Sequence, residues 1–219
     1  MLEVEIVQGM NSYLNGYGIR YSNEVRMGIG IPDITFNIGA NSKIKRLDDY
    51  NMLAILSYLQ NKKTATYEQI VDYFNIKKAR VRQYIICLVN MSLVKVKKEV
   101  IRIVKNIFDT KLGTIISIEA KLKDWKNGFL QAQRYLCFSD YSYLALPNDK
   151  IKNVDLELLQ EKGIGLLSVE KDELVEILKP KQSECCDYNL KYIITSEILN
   201  SNNSERRRRK DKIFSEYAV

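Results

Sequence analysis

The chain has 219 residues, 46% of them hydrophobic, and a net charge of +7, which provides enough apolar material for a packed core and argues against global disorder. It contains no histidine. That excludes Ser-His-Asp and Cys-His catalysis and every metal site that needs an imidazole, so any chemistry must use Asp, Glu, Lys, Tyr or Cys side chains.

The cysteines and the N-terminal residues both predict a soluble cytoplasmic protein. Cys87, Cys137, Cys185 and Cys186 form no C-x-x-C pair, so we expect neither a zinc site of four thiolates nor a disulfide framework. The chain begins with acidic residues where a signal peptide is basic and then apolar. Its apolar runs are shorter than the roughly 18–20 residues of a membrane span, and we expect no association with membranes.

Positive charge is concentrated in two stretches. Residues 77–105 hold nine Lys and Arg and a single acid, and residues 206–210 are five consecutive Arg and Lys. Two basic stretches on an otherwise net acidic chain favour a polyanion, such as nucleic acid, as the partner. The run at 206–210 follows a polar stretch and could be a functional basic arm or a solvated tail.

The first half of the chain alternates predicted helices and strands. Apolar spacing predicts a helix over 1–15, and Ile34–Phe36 predict the core of a strand that ends at Gly39. A second helix is predicted over 47–60. Thr66 can cap a third helix that runs to Phe74, and a fourth is predicted over 77–91.

Residues 93–96 and 100–104 then alternate like the two strands of a hairpin. This order of helices followed by a hairpin, across about 48–105, resembles the winged helix-turn-helix family. The resemblance implies that the helix at 77–91 enters a DNA major groove and that the hairpin contacts the backbone. Such domains also serve protein contacts, but the density of positive charge favours double-stranded DNA.

The resemblance also implies a set of DNA-binding residues on the surface of the helix at 77–91 and the hairpin. Arg82 and Gln83 could read base edges, whereas lysines suit phosphates. The full predicted set is Lys77, Lys78, Arg80, Arg82, Gln83, Lys97 and Lys98.

The second half of the chain continues the alternation. The predicted strands are 114–119, 141–146 and 165–169, and the predicted helices are 125–138, 156–161 and 172–178, the last stopped by Pro180. The pattern predicts an α/β fold in which one mixed sheet is flanked by helices.

Two of the predicted strand ends carry acidic residues. One reads Pro32-Asp33 and the other Glu119-Ala120-Lys121. Because side chains along a strand alternate, Glu119 and Lys121 point to the same face. If the strand after Asp33 lies beside that of Glu119, two carboxylates and an amine converge. Such a cluster can bind Mg²⁺, which activates water and offsets the charge of a phosphate, and the lysine can stabilise the transition state.

These residues resemble the motif of the PD-(D/E)xK nuclease superfamily, and the following helix contributes Gln131 and Tyr135, similar to the Q-x-x-x-Y element of some members. The resemblance implies a restriction-endonuclease-like fold, a Mg²⁺ or Mn²⁺ cofactor and catalytic roles for Asp33, Glu119, Lys121, Gln131 and Tyr135. It also implies metal ligation by Asp33, Glu119 and a glutamate of the first helix. Glu5 is our match for that glutamate, with Glu3 and Glu24 as alternatives.

The predicted organisation is a discontinuous nuclease-like domain over 1–46 and 106–180, an inserted winged helix-turn-helix domain over 47–105 and a C-terminal extension over 181–219. The first interpretation is a Mg²⁺-dependent DNA endonuclease. Cutting both strands needs two active sites, so we expect a homodimer. The alternatives are a non-catalytic DNA-binding or regulatory protein with the same fold, and a DNA-binding subunit of a larger nuclease or transposase assembly.

Overall fold

The computed structural model describes residues 2–26, 28–41, 44–108, 110–170, 173–200 and 213–217; the basic run at 206–210 lies outside them. The chain divides into two compact units. We call Met1–Arg46 with Leu112–Val219 the sheet unit, and Leu47–Lys111 the helical unit. One boundary between the units lies between residues 46 and 47, and the other lies between residues 111 and 112. The boundaries predicted from the sequence lie at 46/47 and 105/106.

The elements are numbered in chain order. The helices are α1 (Glu3–Tyr17), α2 (Tyr50–Lys62), α3 (Tyr67–Phe74), α4 (Lys78–Asn90), α5 (Trp125–Tyr135), α6 (Leu156–Lys162) and α7 (Tyr188–Asn200). The strands are β1 (Tyr21–Asn23), β2 (Ile34–Ile38), β3 (Thr64–Thr66), β4 (Val94–Lys97), β5 (Val100–Ile103), β6 (Thr114–Ala120), β7 (Tyr141–Pro147), β8 (Gly165–Glu170) and β9 (Glu173–Leu178). Short 3-10 turns follow β7 and α7, at Asn148–Asn153 and Ser215–Tyr217.

The sheet unit contains a mixed six-stranded sheet in the order β1-β2-β6-β7-β8-β9. β2 runs antiparallel to β6, the pairs β6–β7 and β7–β8 are parallel, and β9 returns antiparallel to β8. The predicted mixed α/β fold, with helices flanking a mixed sheet, is therefore confirmed. β6 is buried along its whole length because helices cover both faces of the sheet.

Alternation along β6 divides its side chains between the two layers. Ile116 and Ile118 pack with Ile6 and Met10 of α1 in one hydrophobic cluster. Ile115 lies in another cluster with Tyr135 at the end of α5. Because strand side chains alternate, Glu119 belongs to the face of Ile115 and is directed toward α5.

One predicted element of the sheet unit is wrong, and one was missed. Residues 173–178, expected within a helix, form β9, whose exposure alternates residue by residue. Their mixture of apolar and Glu residues fits a helix face as well as an edge strand, and pairing with β8 decides the outcome. The missed element is α7, which packs Ile194 and Ile198 against Ile115 although the sequence offered only a C-terminal extension.

The helical unit contains α2, α3 and α4 and a three-stranded sheet in the order β3-β5-β4. Asp49 caps α2, and Thr66 caps α3 in a reciprocal capping box with Gln69. The predicted helices and hairpin are present, and β3 adds a third strand. In the described part of the chain, no helix combines the length and apolarity needed to cross a membrane.

Candidate active site and nucleic-acid interface

The two acidic strand ends meet at one edge of the β2–β6 pair. Ile34 pairs with Ile118, and continuing this antiparallel register by one step places Asp33 opposite Glu119. Asp33 Oδ2 accepts a hydrogen bond of 2.7 Å from the main-chain N–H of Ala120, which fixes the aspartate at this position. Directly opposed residues project to the same face of a sheet with Cβ atoms about 4.5–5.5 Å apart. The structure therefore brings the two predicted carboxylates together.

Lys121 and Tyr135 both contact Glu119. The Lys121 ammonium donates to Glu119 Oε1 at 2.5 Å, and the Tyr135 hydroxyl donates to Glu119 Oε2 at 2.5 Å. Glu119 is only 2% exposed, so these partners offset much of the cost of burying its charge. The Tyr135 oxygen also lies 3.1 Å from the main-chain oxygen of Ile31, in the segment that leads to Asp33.

Two glycines allow the elements around the acids to approach closely. A Cβ at Gly128 of α5 would lie 2.6 Å from Lys121 Cγ and 2.6 Å from a methyl carbon of Leu144. A Cβ at Gly30 would lie 2.7 Å from the Tyr135 ring. Neither glycine is among the site residues predicted from the sequence; the signals were a glycine inside a predicted helix and another beside the Pro-Asp pair.

Gln131 lies one turn before Tyr135 on the same face of α5. Its side-chain oxygen is buried and, among the described residues, has no hydrogen-bond partner. A buried acceptor without a partner is unusual in a folded protein and can receive a hydrogen bond from water or substrate. Gln131 thus has a free hydrogen-bonding function on the face of α5 that contacts Glu119.

The three glutamates considered as a third metal ligand lie in different surroundings. A cleft of about 460 Å³ is lined by Glu3, Glu24 and Asp33, and Glu5 does not line it. Glu3 Oε1 accepts from the Leu122 main-chain N–H at 3.1 Å, whereas Glu5 Oε2 accepts from Leu2 N at 2.6 Å in the first turn of α1. Residues two apart on a helix point about 200° apart, so Glu3 and Glu5 cannot serve the same side. Ligation of a metal by Glu5 stays a prediction, and of the three candidates Glu3 and Glu24 are the ones that share this cleft with Asp33.

Burial dominates the electrostatics of both carboxyl groups. It raises the pKa of Asp33, against the opposing effects of the Ala120 N–H group and the Lys121 charge. It also raises the pKa of Glu119, against the hydrogen bonds from Lys121 and Tyr135. Burial alone would lower the pKa of Lys121, but the hydrogen bond and charge of Glu119 raise it overall. Burial therefore disfavours the ionised form of both acids, and a bound cation would favour it.

Whether Asp33 and Glu119 can bind a metal ion depends on how many ligand side chains the protein must supply. The described ranges contain no group of three or more Asp, Glu or Cys side chains able to hold a metal ion. Mg²⁺ is usually held by one or two carboxylates together with substrate phosphates and water, rather than by a complete cage of protein ligands. Asp33 and Glu119 supply two hard oxygen donors, which is the number that this mode of binding uses.

The predicted DNA-binding residues are all exposed on the helical unit. Lys77 to Gln83 lie at the start of α4, where the Arg80 guanidinium is 4.8 Å from the ring centre of Tyr84 and Lys78 is paired with Glu68. Lys97 ends β4, and Lys98 lies in the hairpin turn with a φ of +48°. A non-glycine residue with this φ is uncommon, and here it places a lysine at the tip of the hairpin.

Comparison with protein-family models, curated proteins and solved structures found no match to this chain.

Proposed function

We propose that the chain is a divalent-cation-dependent DNA endonuclease of the PD-(D/E)xK type, with a restriction-endonuclease-like sheet unit and an inserted winged helix-turn-helix. The observation that carries the proposal is the bond from Ala120 N–H to Asp33, one step beyond the Ile34–Ile118 pair of β2 and β6, together with the bond from Lys121 to Glu119. Two carboxylates and an amine at one strand edge suit phosphodiester hydrolysis, and they require no histidine.

Each residue has a role set by its contacts. Asp33 and Glu119 would hold Mg²⁺ or Mn²⁺, which supplies an activated water and offsets charge on the phosphate. Lys121, 2.5 Å from Glu119, would place its positive charge where negative charge develops on the scissile phosphate. Tyr135 holds the Glu119 carboxylate in position, and the unpartnered oxygen of Gln131 would orient the attacking water.

The helical unit would supply affinity for the duplex. Its exposed lysines suit phosphate oxygens, and Arg82 and Gln83 suit base edges in the major groove. Cutting both strands at one site would take two copies of the chain related by a two-fold axis.

A second candidate is a DNA-binding protein with the same fold and no catalytic activity. The observation that favours it is that both carboxylate oxygens of Glu119 are already engaged, one by Lys121 and one by Tyr135. Each of these bonds uses one of the two lone pairs of its oxygen, which leaves fewer sites on Glu119 for a cation. A protein that only binds DNA needs none of them.

Nicking of supercoiled plasmid separates the two candidates. The wild-type chain should convert the plasmid to open-circular or linear DNA with Mg²⁺ or Mn²⁺ and leave it intact with EDTA. Asp33→Asn should not cut, and Asp72→Asn, a change of an exposed aspartate in α3, should cut normally. If the wild type binds DNA but cuts no duplex, branched or single-stranded substrate, the non-catalytic candidate is the better account.

A further inference from the structure

The segment that leads into Asp33 presents two isoleucines to solvent. Ile29 is 45% exposed and Ile31 is 46% exposed, and a single glycine separates them. Isolated exposed apolar side chains are common on protein surfaces. This pair differs in its position, because it lies next to two carboxylates that would bind a charged substrate, and contact with phosphate does not explain apolar side chains there. We call Ile29 and Ile31 the isoleucine pair.

The isoleucine pair stands on a fixed base. The main-chain oxygen of Ile31 lies 3.1 Å from the Tyr135 hydroxyl, which also donates to Glu119. Gly30 packs so closely on the Tyr135 ring that a Cβ there would come within 2.7 Å of it, and Pro32 is buried. The main chain is therefore held against the active site while the two side chains remain exposed.

The distance between the isoleucine pair and Asp33 indicates which part of a bound DNA duplex the pair would reach. Two extended residues span at most about 7 Å, so Ile31 lies within that distance of Asp33 along the chain. Successive phosphates of one DNA strand are about 3.4 Å apart along the helix axis. A scissile phosphate at Asp33 and Glu119 would therefore bring the groove within about two nucleotides of Ile31.

The chemistry that accepts isoleucine at that distance is the base stack. Apolar side chains such as isoleucine enter the grooves of DNA and insert between neighbouring base pairs, which partly unstacks and kinks the duplex. Contact with a phosphate or sugar gives an exposed isoleucine no comparable gain, because those groups are strongly hydrated. The continuity of the pair with Asp33 and Tyr135 favours the nucleic acid over a protein partner.

Resting on the proposed function, we propose that the isoleucine pair is a wedge that opens a base step beside the scissile phosphate. The preferred substrate class is then DNA with an easily unstacked step, such as a flexible pyrimidine–purine step or a mismatch. The wedge would determine where along the duplex the acid pair cuts, whereas the helical unit would supply most of the affinity.

Fluorescence of 2-aminopurine, which increases when the base loses its stacking, tests the wedge directly. A series of duplexes, each with one 2-aminopurine at a different position, is saturated with the full-length chain in EDTA so that no cutting occurs. We expect increased emission at one or two adjacent positions. The double variant Ile29→Ala/Ile31→Ala should return the emission to that of free DNA.

The chain offers a matched control for this substitution. Val175 and Ile177 of β9 are also exposed, at 50% and 41%, and are also separated by one residue. The double variant Val175→Ala/Ile177→Ala should keep the full increase in emission. In Mg²⁺, Ile29→Ala/Ile31→Ala should cleave a fully paired duplex more slowly than the wild type. A mismatch at the responsive position should largely restore its cleavage rate, because that step is already unstacked.

These experiments test the wedge and the proposed nuclease activity independently. No increase in emission at any position with the wild type, or an increase that survives Ile29→Ala/Ile31→Ala, overturns the wedge even if the chain cuts DNA. An increase that depends on the isoleucine pair, in a chain that never cuts, supports the wedge and removes the nuclease. Binding of a protein through the pair would leave the 2-aminopurine emission unchanged, and it also overturns the proposal.

Discussion

Asp33 accepts a hydrogen bond from the main-chain N–H of Ala120 at 2.7 Å, across 87 positions of sequence. The helical unit lies between these two residues in the chain. The bond joins the Pro-Asp end of β2 to the Glu-Ala-Lys end of β6, and so the candidate site exists only when these two strands pair. The chemistry of the site is therefore tied to the folding of the sheet unit.

Replacing Asp33 by Asn should stabilise the protein at neutral pH. Burial raises the pKa of Asp33, so the folded state binds its proton more tightly than the unfolded chain. Stability therefore falls as the pH rises from the ordinary Asp value through the raised folded value, and the ionised group remains destabilising above it. Asn removes this charge and can still accept from Ala120. We expect a higher Tm for Asp33→Asn at pH 7–8 and none of this gain near pH 3.

Thermal unfolding from pH 3 to pH 8 measures this effect, with Asp72→Asn as the control for removal of an exposed aspartate. A lower Tm for Asp33→Asn at pH 8 would show that the ionised carboxylate stabilises the fold. That result would remove the electrostatic reason for a cation at this position.

Mg²⁺ should stabilise the wild-type chain in the absence of DNA. A ligand at 100 times its Kd that binds only the folded state contributes about 2.7 kcal/mol, or roughly 5–10 °C in Tm for a chain of this size. Because the pKa values of Asp33 and Glu119 are raised, protons compete with the cation, and the shift should be larger at pH 8 than at pH 6. Differential scanning fluorimetry with and without EDTA checks this. An equal shift in Asp33→Asn would place the cation elsewhere.

Tyr135→Phe should affect both stability and the pH dependence of cleavage. The change removes a buried hydrogen bond to a carboxylate, which costs about 1.5–3 kcal/mol in the free energy of unfolding. The Tyr135 hydroxyl lowers the pKa of Glu119, so its removal raises that pKa further. If Glu119 acts ionised, the acidic limb of the rate–pH profile moves to higher pH. We expect cleavage at neutral pH to fall at least tenfold.

Tyr192→Phe is the matched control, because the Tyr192 hydroxyl donates to the main-chain oxygen of Lys45 and is also buried. It should lose about 0.5–1.5 kcal/mol of stability, because its partner is neutral, and it should leave the rate–pH profile unchanged. Identical profiles for Tyr135→Phe and the wild type would limit Tyr135 to a structural role.

Replacing Arg80 and Arg82 by Ala should weaken DNA binding and reduce its dependence on salt. Each phosphate that the protein no longer neutralises should lower the slope of log K against log salt by about 0.9. With Arg80 on a phosphate and Arg82 on a base edge, the slope of the double variant should fall by about 0.9. Fluorescence anisotropy of a labelled duplex between 50 and 200 mM salt measures the slope. The control pair, Lys152 and Lys162 of the sheet unit, is also exposed. An unchanged slope for the arginine variant would assign α4 to another partner.

Local patterns in the sequence are sufficient to predict some of these features. Alternation places Glu119 and Lys121 on one face of a strand, and the i, i+4 spacing places Gln131 and Tyr135 on one face of a helix. The polar residue Thr66 marks a helix start that the structure retains.

The remaining features depend on contacts between distant segments. Asp33 comes close to Glu119 only when β2 pairs with β6. Residues 47–111 separate these strands in the sequence, and no local signal encodes their register. The need for glycine at 30 and 128 arises only when Tyr135 and Lys121 pack against them. Residues 173–178 form a strand and not a helix because they pair with the edge of β8.

The rate of DNA cleavage by Lys121→Ala tests the central claim most directly. The Lys121 ammonium is 2.5 Å from Glu119 and lies on the sheet unit, whereas the predicted DNA-binding residues lie on the helical unit. Removal of one preorganised charge beside the developing phosphorane typically costs about 10²–10³ in rate. With saturating protein and Mg²⁺, we predict that Lys121→Ala is slower by at least that factor and keeps its DNA affinity, while Lys123→Ala, a change of an exposed neighbour, cuts like the wild type. A wild type that cuts DNA and a Lys121→Ala variant that cuts it equally fast would show that the active site lies elsewhere.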